Sequence, residues 1–572
     1  MKLIRVNMTH KSVTAEEAPQ FMTELGGRGL IAEILNSEVP PACDALGPEN
    51  KLILGLGLLC GTSFINTSRI SVGAKSPLTG GIKESNAGGT VGTALAKTGI
   101  KAVIVEGQPA ADAQYILKID KAGRGELIAT KEYKGLRTYA LMEQLIAQYG
   151  DKIAVLCIGP AGEYQLSSAS VQSSDVDNRT CRAAGRGGMG AVMGAKGLKA
   201  VIVEMGGKYS PAVADPDTFK AATKEFVKAV KNDPSASQMM PLLGTAGLVA
   251  PVNSVGAFPS YNATQGTLKG WEAVSGEAMA EIIKKRGGET THRGCTQCIV
   301  NCSNVYTTEE GQYVTGSLEY ETIWSMGGMT GIADLDAIAR LDYLCDDIGL
   351  DTMNAGVAIA VAMDAGHKSF GDRQAAMDLL EEVAQGTDMG RLIGNGPAAV
   401  GEHFNHPRVP VIKNQSIAAY DPRVMQANGV TYATSPMGGD HTAGNFVGQY
   451  LTGALEMGKP DGAAEASKNT QPVMAFVDCT GVCLFATFPM ATPEGGAAFF
   501  KAMGAFLGRE FGPGDMMAMG TRCLKSERDF NRKAGLTAQD DRLPEFFRTE
   551  PLAPTNAVFQ ISDEELDTVF GA

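Results

Sequence analysis

No stretch of this chain approaches the roughly 20 consecutive apolar residues that a membrane-crossing helix needs, which predicts no membrane insertion. Met1-Lys-Leu-Ile-Arg-Val-Asn7 has no long apolar core and reads as a first strand, not a secretory signal, and no twin-arginine leader is present. These absences predict a cytoplasmic protein. The Gly-x4-Gly-Lys-Ser/Thr phosphate loop is missing, and no glycine run matches the dinucleotide fingerprint, so no flavin or NAD site is expected. The eleven cysteines are an odd number and mostly scattered, which argues against a disulfide framework. The net charge is −13 and the charges are dispersed, which argues against nucleic acid or anionic lipid as partners. Histidine is scarce, six in all, so one placed inside a motif carries weight.

What is present is a large globular chain. Its 572 residues suffice for roughly three or four domains, and 44% hydrophobic with 20% charged residues is ordinary for an enzyme with large cores. Apolar runs at Leu52–Leu56, Ala102–Val105 and Ala200–Val203 read as buried strands separated by glycine-rich turns. From about 210 the pattern turns helical, with apolar residues at helical spacing over 217–231, 335–345, 355–365 and 372–385. The reading is an α+β architecture: an amino-terminal β-rich domain over 1–207, then two mainly helical domains over 208–410 and 411–572.

Three cysteines stand together as Cys295-x2-Cys298-x3-Cys302, and a fourth, Cys483, lies far downstream in Asp478-Cys-Thr-Gly-Val-Cys. Three thiolates from one loop plus one from elsewhere suit a 4Fe–4S cluster. A Cys3His zinc site using His292 is the main alternative, although a zinc ribbon expects its second pair close by. The reversed spacing of radical enzymes that cleave S-adenosylmethionine, C-x3-C-x2-C, does not match.

The first 205 residues also hold three glycine loops: Gly26–Gly29, the Ser76–Gly89 block, and Arg182-Ala-Ala-Gly185-Arg186-Gly-Gly188. Glycines let backbone N–H groups approach anionic oxygens, and Arg28, Arg69, Arg182 and Arg186 supply guanidinium forks, so the set predicts a large phosphate-bearing ligand. Asp346-Asp-Ile-Gly-Leu-Asp351 and Asp478-Cys-Thr-Gly-Val-Cys483 share one turn pattern, as two similar ligand halves bound pseudo-symmetrically would require.

These motifs, with Lys75–Gly80, Ile158–Glu163, Glu319-Tyr-Glu-Thr322, Gly438-Gly-Asp-His441 and Asp540–Glu545, resemble the tungsten-containing aldehyde:ferredoxin oxidoreductase family over nearly the whole chain. The resemblance implies two pterins holding tungsten (or molybdenum, which the sequence does not distinguish), with Mg2+ bridging their phosphates, and a 4Fe–4S cluster on Cys295, Cys298, Cys302 and Cys483. It implies that Arg69, Asn86, Gly88, Arg182, Ala183, Gly185 and Arg186 hold the phosphates and the magnesium shell. Asp346, Leu350 and Asp351 would bind one pterin, and Asp478 and Leu484 the other. The implied reaction is oxidation of an aldehyde to a carboxylate, with electrons passing to ferredoxin or an iron–sulfur subunit.

Glu319, Glu321 and His441 are the implied catalytic residues, Glu319 the favoured carboxylate. Arg340 stands where some members carry an acidic ligand to an interfacial iron, so none is expected here. Asp351 stands where a benzoyl-coenzyme A-reducing branch carries a tungsten-ligating cysteine, which favours the aldehyde branch. That branch stays the alternative, with a non-catalytic pterin-binding scaffold the third reading. Whether the chain forms homo- or hetero-oligomers stays open.

Overall fold

The computed structural model describes residues 1–571. Six short segments build a first sheet: β1 (Lys2–Asn7), β2 (Ser12–Glu17), β3 (Leu52–Leu56), β4 (Ile70–Lys75), β5 (Ile82–Ala87) and β6 (Ile100–Glu106). Their spatial order is β2-β1-β6-β3-β4-β5, antiparallel except for β1–β6. Six more build a second: β7 (Gln114–Ile119), β8 (Gly125–Thr130), β9 (Ile153–Cys157), β10 (Val171–Ser173), β11 (Arg182–Ala184) and β12 (Leu198–Glu204). Their order is β8-β7-β12-β9-β10-β11, antiparallel except for β7–β12. The two paths have the same topology, so the amino-terminal region is an internal pair of like sheets.

Side-chain alternation decides what each face meets. Ile4 and Val6 of β1 and Val103 and Val105 of β6 join Leu117, Leu156 and Val201 in the core between the sheets. Leu3, Ile53, Ala102 and Ile104 turn the other way, onto helix α1 (Gly27–Glu38). The apolar runs that read as strands are β3 and the centres of β6 and β12.

The rest is largely helical and includes α2 (Pro216–Asn232), α3 (Leu335–Ile348), α4 (Thr352–Asp364), α5 (Ala463–Thr480), α6 (Pro493–Leu507) and α7 (Pro513–Lys533). Its largest core joins Trp324, Leu341 and Ile359 to Tyr420, Tyr432 and Phe547, drawing on both sides of position 410. One departure from the helical reading is a small antiparallel sheet, β13 (Glu289–His292), β14 (Ser303–Thr307) and β15 (Tyr313–Gly316). Its strands of four or five residues are too short to register as a periodic pattern.

The two Asp-x-x-Gly segments are helix ends. Helix α3 starts on Asp334, whose carboxylate accepts from the Asp336 and Ala337 N–H groups, and stops at Gly349, which has φ +75°. Asp351 then caps α4, accepting from the Met353 N–H at 2.9 Å. Helix α5 stops likewise at Gly481, with φ +77°. Each sheet holds one of these turns. Leu58 and Leu59, just past β3, donate to the carbonyls of Cys479 and Thr480 at 3.0 Å, whereas Ser170 donates to the Gly349 carbonyl at 2.9 Å. The approach is close enough that a Cβ on Gly57 would overlap the Gly481 backbone, and one on Gly159 the Ile348 carbonyl.

Candidate functional site

Cys295, Cys298 and Cys302 lie on the loop from β13 to β14, and Cys483 follows the turn that ends α5. Asn66 ties the two segments together. Its carbonyl accepts from the Cys483 N–H at 2.8 Å, its N–H donates to the Gln297 carbonyl at 3.1 Å, and its side-chain amide donates to Cys298 Sγ at 3.3 Å. Gly89 N–H donates to Cys295 Sγ at 3.2 Å, and Arg69 Nη1 stands 4.0 Å from Cys483 Sγ. Burial pushes the Cys298 thiol up to about 11, with the charges of Cys295 and Cys483 adding to it. Burial also raises Cys302, helped by Glu319 and Cys483. The four thiols therefore share one electrostatic neighbourhood.

They do not converge as a single-ion site would. Zinc bonded to sulfur at about 2.3 Å brings its thiolates within about 4 Å of one another. Among the described residues, the group of three donors that lie mutually within 4.8 Å is Asp175, Asp177 and His292 instead. His292 is turned from the thiols: Nε2 is 2.7 Å from Asp177 Oδ2 and Nδ1 is 3.2 Å from Ser303 Oγ. The wider thiol spacing suits a cluster, in which each sulfur holds its own iron.

Beside the thiols lies the cradle. Arg69 donates to both the side-chain and main-chain oxygens of Asn86. Gly88 is pressed on Cys295, whose Sγ would stand 2.6 Å from a Cβ there. From β11, Arg182 donates to Ser317 Oγ at 2.6 Å and lies 3.6 Å from Glu319. Ala183 is the central residue of that strand. Past Gly185, around which the space is open, Arg186 donates to the Gly439 carbonyl at 2.6 Å and to Ser416 Oγ at 2.7 Å. Its Nε is 3.7 Å from Asp351 Oδ2. Arg182 Nε, Arg186 Nε and Asp351 Oδ2 are buried without hydrogen-bond partners.

The two turns supply acids. Asp346 is raised by burial, with Asp342 beside it adding to the effect. Asp478 is pushed up to about 7 by burial and by Glu84, against the pull of Arg28, whose Nη1 is 3.2 Å away. Leu350 is buried and its backbone bridges to Ala169, whereas Leu484 is half-exposed beside Cys483.

The two glutamates of Glu319-Tyr-Glu321 go separate ways. Glu319 accepts from Ser317 Oγ and from Thr245 Oγ1 on the thiol side. Glu321 accepts from the Ala419 N–H at 3.0 Å, and its other oxygen is 3.3 Å from His441 Nε2. That oxygen and His441 Nδ1 are both buried without hydrogen-bond partners. Burial raises the Glu321 carboxyl, and His441 opposes the shift. The geometry thus pairs His441 with Glu321, not with the favoured Glu319.

Arg28, expected as a phosphate-binding fork, instead clamps Glu527 at 2.7 and 2.9 Å while touching Asp478, because these carboxylates take its guanidinium. Other residues at this site escape motif reading: buried Lys83 pairs with Asp440 at 3.3 Å, next to His441. Asn66 takes φ +54°, unusual for a residue with a side chain, but no motif marks it.

Four thiols from two segments, beside a cradle of buried guanidinium and carboxylate atoms without hydrogen-bond partners, mark an oxidoreductase of the metallocofactor class. The family model described as the aldehyde ferredoxin oxidoreductase N-terminal domain matches residues 3–205, and that for domains 2 and 3 matches residues 221–570. The chain belongs to the aldehyde ferredoxin oxidoreductase family.

The tungsten-containing aldehyde ferredoxin oxidoreductase of Pyrococcus furiosus is 33% identical over 573 residues, covering 96% of this chain and 92% of the relative. That of Thermococcus kodakarensis is 34% identical with the same coverage. An aliphatic sulfonate oxidoreductase, WOR-like subunit, of Pyrococcus furiosus is 26% identical, covering 85% of this chain and 79% of the relative. Among solved structures, the active site complex BamBC of benzoyl coenzyme A reductase with 1,5-dienoyl-CoA aligns at TM-score 0.80 and 21% identity, covering 99% of this chain and 92% of that chain, a likeness of fold. No helix among the described residues is long and apolar enough to cross a membrane.

Proposed function

We propose that this chain oxidises aldehydes to carboxylic acids at a bis-pterin tungsten or molybdenum centre and releases the electrons through a 4Fe–4S cluster. The carrying observation is the pair of ends that the site presents: four thiols from two segments tied by Asn66, and a half-buried Glu321–His441 pair that leaves a buried oxygen and a buried ring nitrogen unpartnered. The residues fit the groups. Arg182 Nε, Arg186 Nε and Asp351 Oδ2 are orphaned donors and acceptor of the kind a phosphate and a pterin would complete. In this reading Arg69, Asn86, Gly88, Arg182, Ala183, Gly185 and Arg186 hold phosphates and Mg2+. Asp346, Leu350 and Asp351 hold one pterin, and Asp478 and Leu484 the other. Cys295, Cys298, Cys302 and Cys483 hold the cluster.

When bound, the metal centre supplies a Lewis acid for the carbonyl and an acceptor for two electrons. The chain's own residues manage the protons. Converting RCHO and H2O to RCOO⁻ releases three protons and two electrons. Glu321, raised by burial, is a stronger base than an exposed glutamate and takes a proton from the attacking water. His441, with Nε2 turned to Glu321, leaves Nδ1 for a substrate atom. Glu319 has both oxygens occupied by hydroxyls, so it orders Arg182 beside the thiols.

The test is a dye-linked assay under anaerobic conditions with aliphatic and aromatic aldehydes. Steady aldehyde-dependent dye reduction is expected. Activity confined to an aromatic coenzyme A thioester assigns the ring-reducing alternative, and metal-loaded protein without any turnover assigns the scaffold.

A further inference from the structure

Helix α2 carries a feature that the site leaves unused. Its buried face, with Phe219, Phe226 and Val230, belongs to the core on which Cys298 and Cys302 pack. Phe64 stacks on Phe226 with ring centroids 5.1 Å apart, and Asn66, next but one in the chain, donates to Cys298. The opposite face is exposed and holds Lys220, Lys224, Lys228 and Lys231. At about 100° per residue, these four fall within roughly a quarter of the helix circumference. Among the described residues none of them has a carboxylate oxygen within 4.0 Å. The acids on this helix are Asp217 in the first turn and Glu225 on the flank, the latter 4.0 Å from Lys501, and Asp215 and Asp233 cap its two ends. In a chain of net charge −13, four unpaired lysines gathered on one helix face are a local concentration of positive charge.

Past its carboxyl end the chain reaches an apolar lip beside the thiol loop. Leu242 is 45% exposed, and Ile299, Phe485 and Phe488 are half-exposed. Two residues beyond Leu242, a Cβ on Gly244 would stand 3.0 Å from the Cys302 carbonyl, which fixes the lip against the thiols. An apolar centre flanked by unpaired charge of one sign is the anatomy of a transient interface, and redox encounters use small ones, under about 1,200 Å².

We propose that the α2 lysine face and this lip form the docking surface for a small acidic iron–sulfur protein of the ferredoxin class. Its carboxylates meet the lysines, and its cluster comes over the lip next to the thiol loop. Turnover through it rests on the proposed aldehyde oxidation: the two electrons released with RCOO⁻ leave one at a time, each reducing one oxidised ferredoxin cluster. Electrostatic steering of this kind raises association rates 10- to 10³-fold and fades as salt screens it.

The test uses the anaerobic holoenzyme, an acidic ferredoxin and a viologen dye. In the combined variant Lys224→Glu, Lys228→Glu, Lys231→Glu, kcat/KM for ferredoxin is expected to fall at least about 10-fold at low salt, with the dye rate unchanged. Calorimetric titration with ferredoxin should show a matching loss of affinity, and the milder Lys→Gln set an intermediate one. Unchanged kcat/KM and affinity in the charge-reversed variant would overturn the docking surface. If no aldehyde is oxidised even with the dye, the catalytic reading fails by itself. The titration then decides the docking surface alone, weakened binding supporting it and unchanged binding overturning it.

Discussion

The two ends of this site are built on different principles. At the thiol end, sulfur from two distant segments is gathered by backbone and amide hydrogen bonds around Asn66, and the loop residues between the cysteines are half-exposed except for buried Val300. At the other end, Glu321 and His441 are half-buried and paired, with one buried oxygen and one buried ring nitrogen left without hydrogen-bond partners. Unsatisfied buried polar atoms are costly, and they persist where a ligand completes them. On the proposed reading the contrast separates two duties, electron transfer at the thiols and proton transfer at the Glu321–His441 pair. Glu319 and Glu321, only two residues apart, fall on opposite sides of this divide.

The largest expected effect breaks or upholds that divide. Glu321→Gln should lower kcat by roughly 10²- to 10⁴-fold with cluster iron unchanged. Glu319→Gln should cost less than about 10-fold and show instead in the cluster's spectrum, because Arg182 loses its partner. Steady-state rates and iron content of both variants check this, and the reverse order would move the proton work to the thiol end. Next in size, Asn66→Ala should weaken iron retention about 10- to 100-fold, as loss of an outer-shell partner does, read by iron release to a chelator.

The pH dependence sharpens the other end. Burial raises Glu321 above its ordinary value near 4.5, so it is protonated and inactive as a base below the raised value. The kcat profile should therefore climb as pH rises through that value, and Glu321→Gln should lose the limb. The same shift has a stability consequence of opposite sense. The folded state binds this proton more tightly than the unfolded state, so stability is lost as pH rises from the unfolded to the folded value. Glu321→Gln should thus melt higher than wild type at neutral pH in calorimetry of the cofactor-free protein. The smallest effect is expected at His292→Ala, which removes a contact to Asp177 and should cost about 1 kcal/mol of stability while leaving iron content unchanged. Loss of iron there would revive a histidine ligand.

Much of this was readable from the residue order. The cysteine spacing, the glycine loops and the two Asp-x-x-Gly turns are local patterns with local physical causes: thiolate geometry, backbone approach and helix termination. The apolar runs marked β3, β6 and β12, and helical spacing marked α2 and α3. What escaped depends on long-range placement. Asn66 gains its role from meeting the segments around 297 and 483, and Lys83 from meeting Asp440. The choice between Glu319 and Glu321 turns on which flank of a short helix faces His441. The duplication of the sheets is a matter of topology, invisible in residue types. The lysines of α2 read as dispersed charge until the helix stacks them on one face.

The most direct test of the central claim is the metal content and low-temperature paramagnetic spectrum of anaerobically purified protein, compared with its Cys483→Ser variant. About four irons per chain with a reduced-cluster signal, one tungsten or molybdenum, and loss of the cluster signal in the variant are expected. An intact cluster in Cys483→Ser, or zinc in place of iron in the wild type, would contradict the claim.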